Sequence, residues 1–227
     1  MNYLVIAAHP DDEVLGAGGS MVKWAKSGSK VNVLIMAEGA TSRHDNRDRN
    51  LCKNNLNLLN DAALEAAKIL GIEYVELMDF PDNRMDSLNL IDIIKPIEKK
   101  IKELKPNVVV THHPGDLNID HIVINQAVLT ACRPQPGSTV KRILTFEVPS
   151  STEWQTTTIN KPFDPNWFVD ITESIEVKKN ALSAYKSEMR NWPHARSIKA
   201  VEHLARWRGS TIGTEAAEAF MLIREIN

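Results

Sequence analysis

The sequence lacks most features that mark the larger special classes of protein. Its 227 residues hold two cysteines, Cys52 and Cys132, far apart and in no metal-ligand spacing. That excludes a disulfide scaffold and leads us to expect two reduced thiols in a cytoplasmic protein. Neither sign of charge dominates: 27 Lys and Arg against 29 Asp and Glu give a net charge of −2, with no basic footprint for nucleic acid or an anionic membrane. Long apolar runs are missing as well. The early run Tyr3 to Ala8 is far shorter than the roughly 20 residues a membrane span needs, no basic leader precedes it, and it ends in charged residues. Neither a span nor a signal peptide is expected. There is no internal repeat, no low-complexity linker, no Gly-x-Ser-x-Gly elbow and no P-loop, so esterase and NTPase readings fall on motif grounds. Gly16-Ala17-Gly18-Gly19 imitates a dinucleotide fingerprint but has Met21 where a third glycine belongs. Its small residues are expected to let a helix pack closely on a sheet.

What is present is an ordinary globular composition, 43% apolar and 25% charged, with strand and helix patterns in alternation. Apolar or β-branched runs at Tyr3–Ala7, Lys30–Ala37, Tyr74–Phe80, Asn107–Thr111 and Ile143–Val148 read as strands. Helical spacing covers Glu13–Lys26, Leu51–Leu70, Leu88–Leu104 (with a kink or break expected at Pro96), Asp120–Ala131, Glu173–Met189 and Ile198–Arg208. Trp167–Ile171 reads as a short edge strand, Ala216–Ile226 as a final apolar-periodic piece, and Ser150–Thr158 as a Ser/Thr-rich segment. The expected fold is α/β, a Rossmann-like three-layer sandwich with a mostly parallel sheet and helices on both faces. One domain spanning residues 1–227 is expected from the length.

The chemistry concentrates in Ala8-His9-Pro10-Asp11-Asp12-Glu13, directly after the first strand. Open α/β sheets place ligands at the carboxyl ends of their strands, and an imidazole crowded with carboxylates there is costly unless something positive joins them. His121 lies beyond the most β-branched strand, where its helix begins, so it can converge on His9 and Asp12. Two imidazoles and one carboxylate form a catalytic zinc set with a position left for water, although such nitrogen/oxygen sites also accept Fe2+ or Mn2+. Asp11 need not bind metal. It is placed to act as general base, to cap the following helix, or to do both. Arg43 and Arg84 would suit a phosphate or carboxylate on a substrate. His194 and Arg196 share a Pro-interrupted loop, and Trp154 sits in a polar-aromatic patch; these three are candidate substrate contacts.

The string Ala-His-Pro-Asp-Asp-Glu resembles the signature of the PIG-L/LmbE-like zinc-dependent de-N-acetylases, which remove acetyl groups from N-acetylated sugars and their conjugates. The resemblance implies metal ligation by His9, Asp12 and His121, with Asp11 as the base. It also implies a sugar-binding acidic residue near Asp82, and a homo-oligomer, since relatives often assemble as trimers or hexamers. The second motif departs from the family: where many relatives read His-Pro-Asp-His, this chain has Asn118-Ile119-Asp120-His121. Asn118 can donate to an oxyanion but cannot shuttle a proton, so Asp11 handles both transfers or an imidazole arrives from His112, His113 or His194. Asp120 is expected to hold His121 in its metal-binding tautomer or to order Asn118. The implied activity is a zinc-dependent hydrolase releasing acetate and a free amine from a GlcNAc-type conjugate. The alternatives are a hydrolase of another N-acyl amide, and a non-catalytic, metal-holding sugar- or nucleotide-binding module.

Overall fold

The computed structural model describes residues 1–156 and 161–227, so the expectation for Ser150–Thr158 lies partly outside the described residues. Seven strands form one sheet: β1 (Asn2–Ala7), β2 (Lys30–Ala37), β3 (Tyr74–Phe80), β4 (Val108–His112), β5 (Arg142–Phe146), β6 (Trp167–Asp170) and β7 (Ala217–Glu225). Their order is β3-β2-β1-β4-β5-β7-β6. The first five strands run parallel, and β7 is antiparallel to both β5 and β6. The α/β expectation is met, with Trp167–Asp170 as an outer strand and the Ala216–Ile226 piece as a strand of its own.

The parallel strands are apolar throughout because both faces are covered. Along β1, Tyr3 and Val5 point into one core, with Val14, Ala63, Ile175 and Val201. These residues bring in the helices α1 (Asp12–Lys26), α2 (Lys53–Leu70), α5 (Ile175–Leu182) and α6 (Ile198–Ser210). The alternate residues Leu4 and Ile6 point into the other core, with Ile93 and Ile124 of α3 (Leu90–Leu104) and α4 (Ile119–Ala131). The helix α3 runs unbroken through Pro96. Ile93, Ile94 and Ile97 beside it are buried, and burial of each such side chain stabilises by roughly 1.5–3 kcal/mol, enough to offset the missing backbone bond. The helix expected over Glu173–Met189 is shorter than predicted. It ends at Leu182, and turns carry the chain onward to Met189.

The glycine run lies inside α1, as expected. A Cβ on Gly16 would enter the Phe146 ring, and one on Gly19 would stand 2.8 Å from Ile171. Beside it, the buried pair Lys178 and Glu218 (2.6 Å) grips the same helix. Lys178 donates to the Leu15 carbonyl, and Glu218 accepts from the Gly19 and Ser20 amides. The chain leaves β1 towards β2 and leaves β4 towards β5, on opposite sides. The crevice between the carboxyl ends of β1 and β4 is therefore the topological switch point of the sheet. No helix among the described residues is long and apolar enough to cross a membrane.

Candidate metal centre and catalytic cleft

Pro10 cannot donate to the sheet ladder, so the chain turns out of β1 at His9 and re-enters regular structure as α1. Asp11 occupies the turn with φ 113°, a backbone region sparsely populated by residues other than glycine, and its carbonyl accepts from Val14 and Leu15. Across the switch point, β4 leads through a short loop into α4, which carries His121.

These two loops bring His9, Asp12 and His121 together. Oδ2 of Asp12 lies 3.2 Å from His9 Nδ1 and 3.1 Å from His121 Nε2, and it accepts the His9 backbone amide at 2.9 Å. All three residues are buried, and the donor atoms of the trio lie within 4.8 Å of one another. A second group, His9, Asp82 and Asp120, meets the same distance limit. The two differ in what their donors have left to give. Asp120 already accepts from the Asn83 and Met85 amides, and Asp82 from the Ser42 amide and hydroxyl and from Asn83 Nδ2. By contrast, Oδ1 of Asp12 and both ring nitrogens of His121 are buried without a hydrogen bond, although Nε2 and Nδ1 stand 3.1 Å from the carboxylates of Asp12 and Asp116. Buried polar atoms are seldom left unmatched, so the donor set of the first group is the one that fits a cation.

A carboxylate stands behind each imidazole. Oδ2 of Asp120 is 3.1 Å from His9 Nε2, and Oδ1 of Asp116 is 3.1 Å from His121 Nδ1. With an ion bound, each would hold a proton on the far nitrogen and leave the near one a lone pair for the ion. Here the expectation for Asp120 needs correcting. Its carboxylate faces His9, because the first turn of α4 aims it back over the loop at Asn83 and Met85. Its link to Asn118 is through the backbone: the Asn118 side chain accepts the Asp120 amide and caps α4. Asp116, which the sequence reading missed, serves His121 and is fixed in turn by the Ser151 and Thr152 hydroxyls. Its sequence signal was its place in the loop after β4.

Charge at the site follows from these contacts. Burial opposes the ionisation of Asp12, but His121, His9 and His112 outweigh it and hold the carboxyl well below its ordinary range. Burial likewise disfavours charge on His121, yet Asp12 and Asp116 raise its pKa to about 9. The pocket thus favours positive charge. His112 is buried with its pKa well lowered, first by desolvation and then by His121. It accepts the Ala8 amide at Nε2 and stacks on His121 at 3.9 Å, which makes it a packed residue. His113 turns away to the Lys161 carbonyl.

Asp11 makes no side-chain cap, so that alternative is excluded. One of its oxygens accepts from Arg196 at 2.8 Å and the other is buried without a partner. Burial drives its pKa well up, Arg196 pulls it down, and Asp12 and Glu188 add to the rise. Arg196 is therefore the partner of Asp11, and it also donates to the Ser150 hydroxyl. Its own backbone amide donates to His194 Nδ1 at 3.0 Å, and Trp154 meets the His194 ring edge-on at 6.0 Å. His194, Arg196 and Trp154 thus neighbour one another, and of the three Arg196 is the one that reaches Asp11. Asn118, besides capping α4, donates to Asn83. Asp82 is buried and lies 3.3 Å from His9 Nε2. Arg43 pairs with Glu188, and Arg84 donates to the His44 and Asp45 carbonyls. Each guanidinium spends one nitrogen on these contacts and keeps its other N–H groups.

Residues 4–132 match the family described as PIG-L, GlcNAc-PI de-N-acetylase. The chain is 32% identical over 190 residues to the uncharacterized deacetylase YaiS of Escherichia coli (strain K12), covering 81% of this chain and 90% of that one. It is 24% identical over 189 residues to a probable N-acetyl-alpha-D-glucosaminyl L-malate deacetylase 2 of Bacillus anthracis, with 82% and 81% covered. Among solved structures, the 4-carboxy-2-hydroxymuconate hydratase of Pseudomonas putida KT2440 shares the fold. The match has a TM-score of 0.77 at 21% identity and covers 100% of this chain and 97% of that one.

Proposed function

The chain belongs to the PIG-L family, and from that premise we propose that it is a zinc-dependent hydrolase that removes the acetyl group from an N-acetylated amino sugar or its conjugate. A single observation carries the reading: the buried Asp12 Oδ1 and His121 Nε2, neither of them hydrogen-bonded, meet beside His9 at the switch point of the sheet. The hydratase with the same fold means that the fold alone does not select the reaction, so the choice rests on family membership and on these residues.

His9, Asp12 and His121 hold the ion. When bound, it lowers the pKa of water and polarises a carbonyl. The free oxygen of Asp11 takes the proton as water attacks the acetamide carbon, while Arg196 keeps the carboxylate aimed into the cleft. The proton then passes to the amine nitrogen as the carbon–nitrogen bond breaks, releasing acetate. Asn118, locked as a helix cap, has one amide hydrogen left to meet the developing oxyanion. His194 accepts at Nδ1, so its neutral ring carries the proton on Nε2. It is the imidazole that supplies the donor absent from position 118. Trp154, exposed at the rim, offers a face for stacking the sugar ring. Asp82 acts by bracing His9 and the Ser42 loop rather than by touching the sugar. The reading includes a cytoplasmic location, supported by the free, buried thiols of Cys52 and Cys132, and self-association, which light scattering tests.

The deciding experiment loads the protein with zinc and measures acetate released from N-acetylglucosamine conjugates. Acetate is expected from the parent, with a fall of about 100-fold or more in Asp11→Ala. A second reading, a binding module without turnover, is favoured by Asn118, which cannot pass a proton. Ligand affinity with no acetate from any conjugate would establish that reading and overturn the first.

A further inference from the structure

The geometry points to a positioning pair beneath the cleft: Glu13 and Tyr185 hold the backbone of Asp11 in the conformation its role requires. This inference rests on the reading of Asp11 as the base. The φ of 113° at Asp11 is one that non-glycine residues keep only where their surroundings impose it. Its carbonyl is held by the first turn of α1, and its side chain by Arg196. Its amide, the atom that sets which way the peptide faces, donates to Glu13 Oε2 at 3.1 Å. The other Glu13 oxygen accepts the Tyr185 hydroxyl at 2.5 Å. Tyr185 is fully buried, packed among the core side chains just beyond α5, so the grip on Asp11 is anchored in the hydrophobic interior rather than at the surface.

A carboxylate buried to 3% exposure is expensive, and both oxygens of Glu13 are used in this one linkage. The proposed mechanism gives Glu13 no contact with substrate. The chain core–Tyr185–Glu13–Asp11 amide therefore acts on the reaction only through the placement of the base. Residues 172 apart in sequence join to make it.

The test compares zinc-loaded parent, Glu13→Ala, Glu13→Gln and Tyr185→Phe. Misplacing a reacting group by about an ångström can cost on the order of 100-fold, so Glu13→Ala is expected to lose about 100-fold in kcat with KM and bound zinc unchanged. Tyr185→Phe, nearly isosteric, is expected to lose about tenfold in kcat. Glu13→Gln should retain activity within about threefold, because its oxygen accepts the Asp11 amide while its NH2 donates to Tyr185. Zinc lost in step with activity would assign Glu13 to the helix and the metal ligands instead, and would overturn the proposal. So would full kcat in Tyr185→Phe, which decides the matter if Glu13→Ala does not fold. Crystal structures give a readout that needs no turnover. In Glu13→Ala, Asp11 should leave positive φ and release Arg196; an unmoved Asp11 refutes the positioning role even if the parent hydrolyses nothing, which would count only against the deacetylase reading.

Discussion

Replacing Lys178 with methionine tests whether the ion pair between α5 and β7 that grips α1 is a structural necessity. Glu218 has 4% side-chain exposure and accepts from Lys178 at 2.6 Å and from the Ser20 and Gly19 amides at 2.7 and 2.9 Å. Removing the ammonium leaves a carboxylate buried with two amide donors and no cation. Breaking such a pair from one side costs roughly 3–5 kcal/mol. For a chain of this size each kcal/mol lowers Tm by about 2–4 °C, so a fall of roughly 6–20 °C is expected. Adding Glu218→Gln removes the stranded charge while keeping an acceptor for the α1 amides, and is expected to restore about 2 kcal/mol. Urea unfolding of the parent, both single variants and the double variant gives the coupling energy directly. Additivity within about 0.5 kcal/mol would refute the account, because it would mean that neither charge depends on the other.

Other outcomes follow from the same geometry. Asp12→Asn or His121→Ala should abolish zinc binding measured by atomic emission, whereas Asp116→Asn, which leaves all three ligands, should weaken it about 10- to 100-fold. Gly16→Val drives a branched side chain into the Phe146 ring and should destabilise by roughly 1–3 kcal/mol in a thermal melt. Burial pushes the Cys132 thiol up to about 12, so thiol reagents should reach it only after unfolding. The folded state keeps that proton longer than the unfolded chain does. The resulting stability is therefore whole below pH 9 and declines as pH rises towards 12, a trend that denaturation at stepped alkaline pH will show.

The metal ligands could be read from the sequence because their constraints are local. His9 and Asp12 flank a proline turn, and His121 lies in the first turn of a helix after a strongly β-branched strand. A parallel sheet carries such strand ends to the same edge. The partners of those residues were far less legible. Arg196 reaches Asp11 and Tyr185 reaches Glu13 across more than 170 residues of chain, so nothing nearby in sequence records either contact. Asp120 and Asp116 flank the same loop with the same chemistry, and only the pitch of α4 decides which imidazole each one faces. The partners of Arg43 and Arg84, the Glu188 carboxylate and two backbone carbonyls, are likewise contacts that a sequence does not display. The end of α5 at Leu182 was hidden by apolar residues that continue at helical spacing through turns.

The insertion of β7 between β5 and β6 also bears on how the molecule is made. Roughly seventy residues separate the end of β5 from the start of the strand that pairs with it. At ribosomal speeds of about 5–20 residues per second, the outer rim of β5 waits roughly four to fourteen seconds for that neighbour. During the wait its unpaired amides and carbonyls form a template for any passing extended chain. Holding a nascent chain at that stage should therefore recruit chaperones more strongly than holding it before β5 emerges.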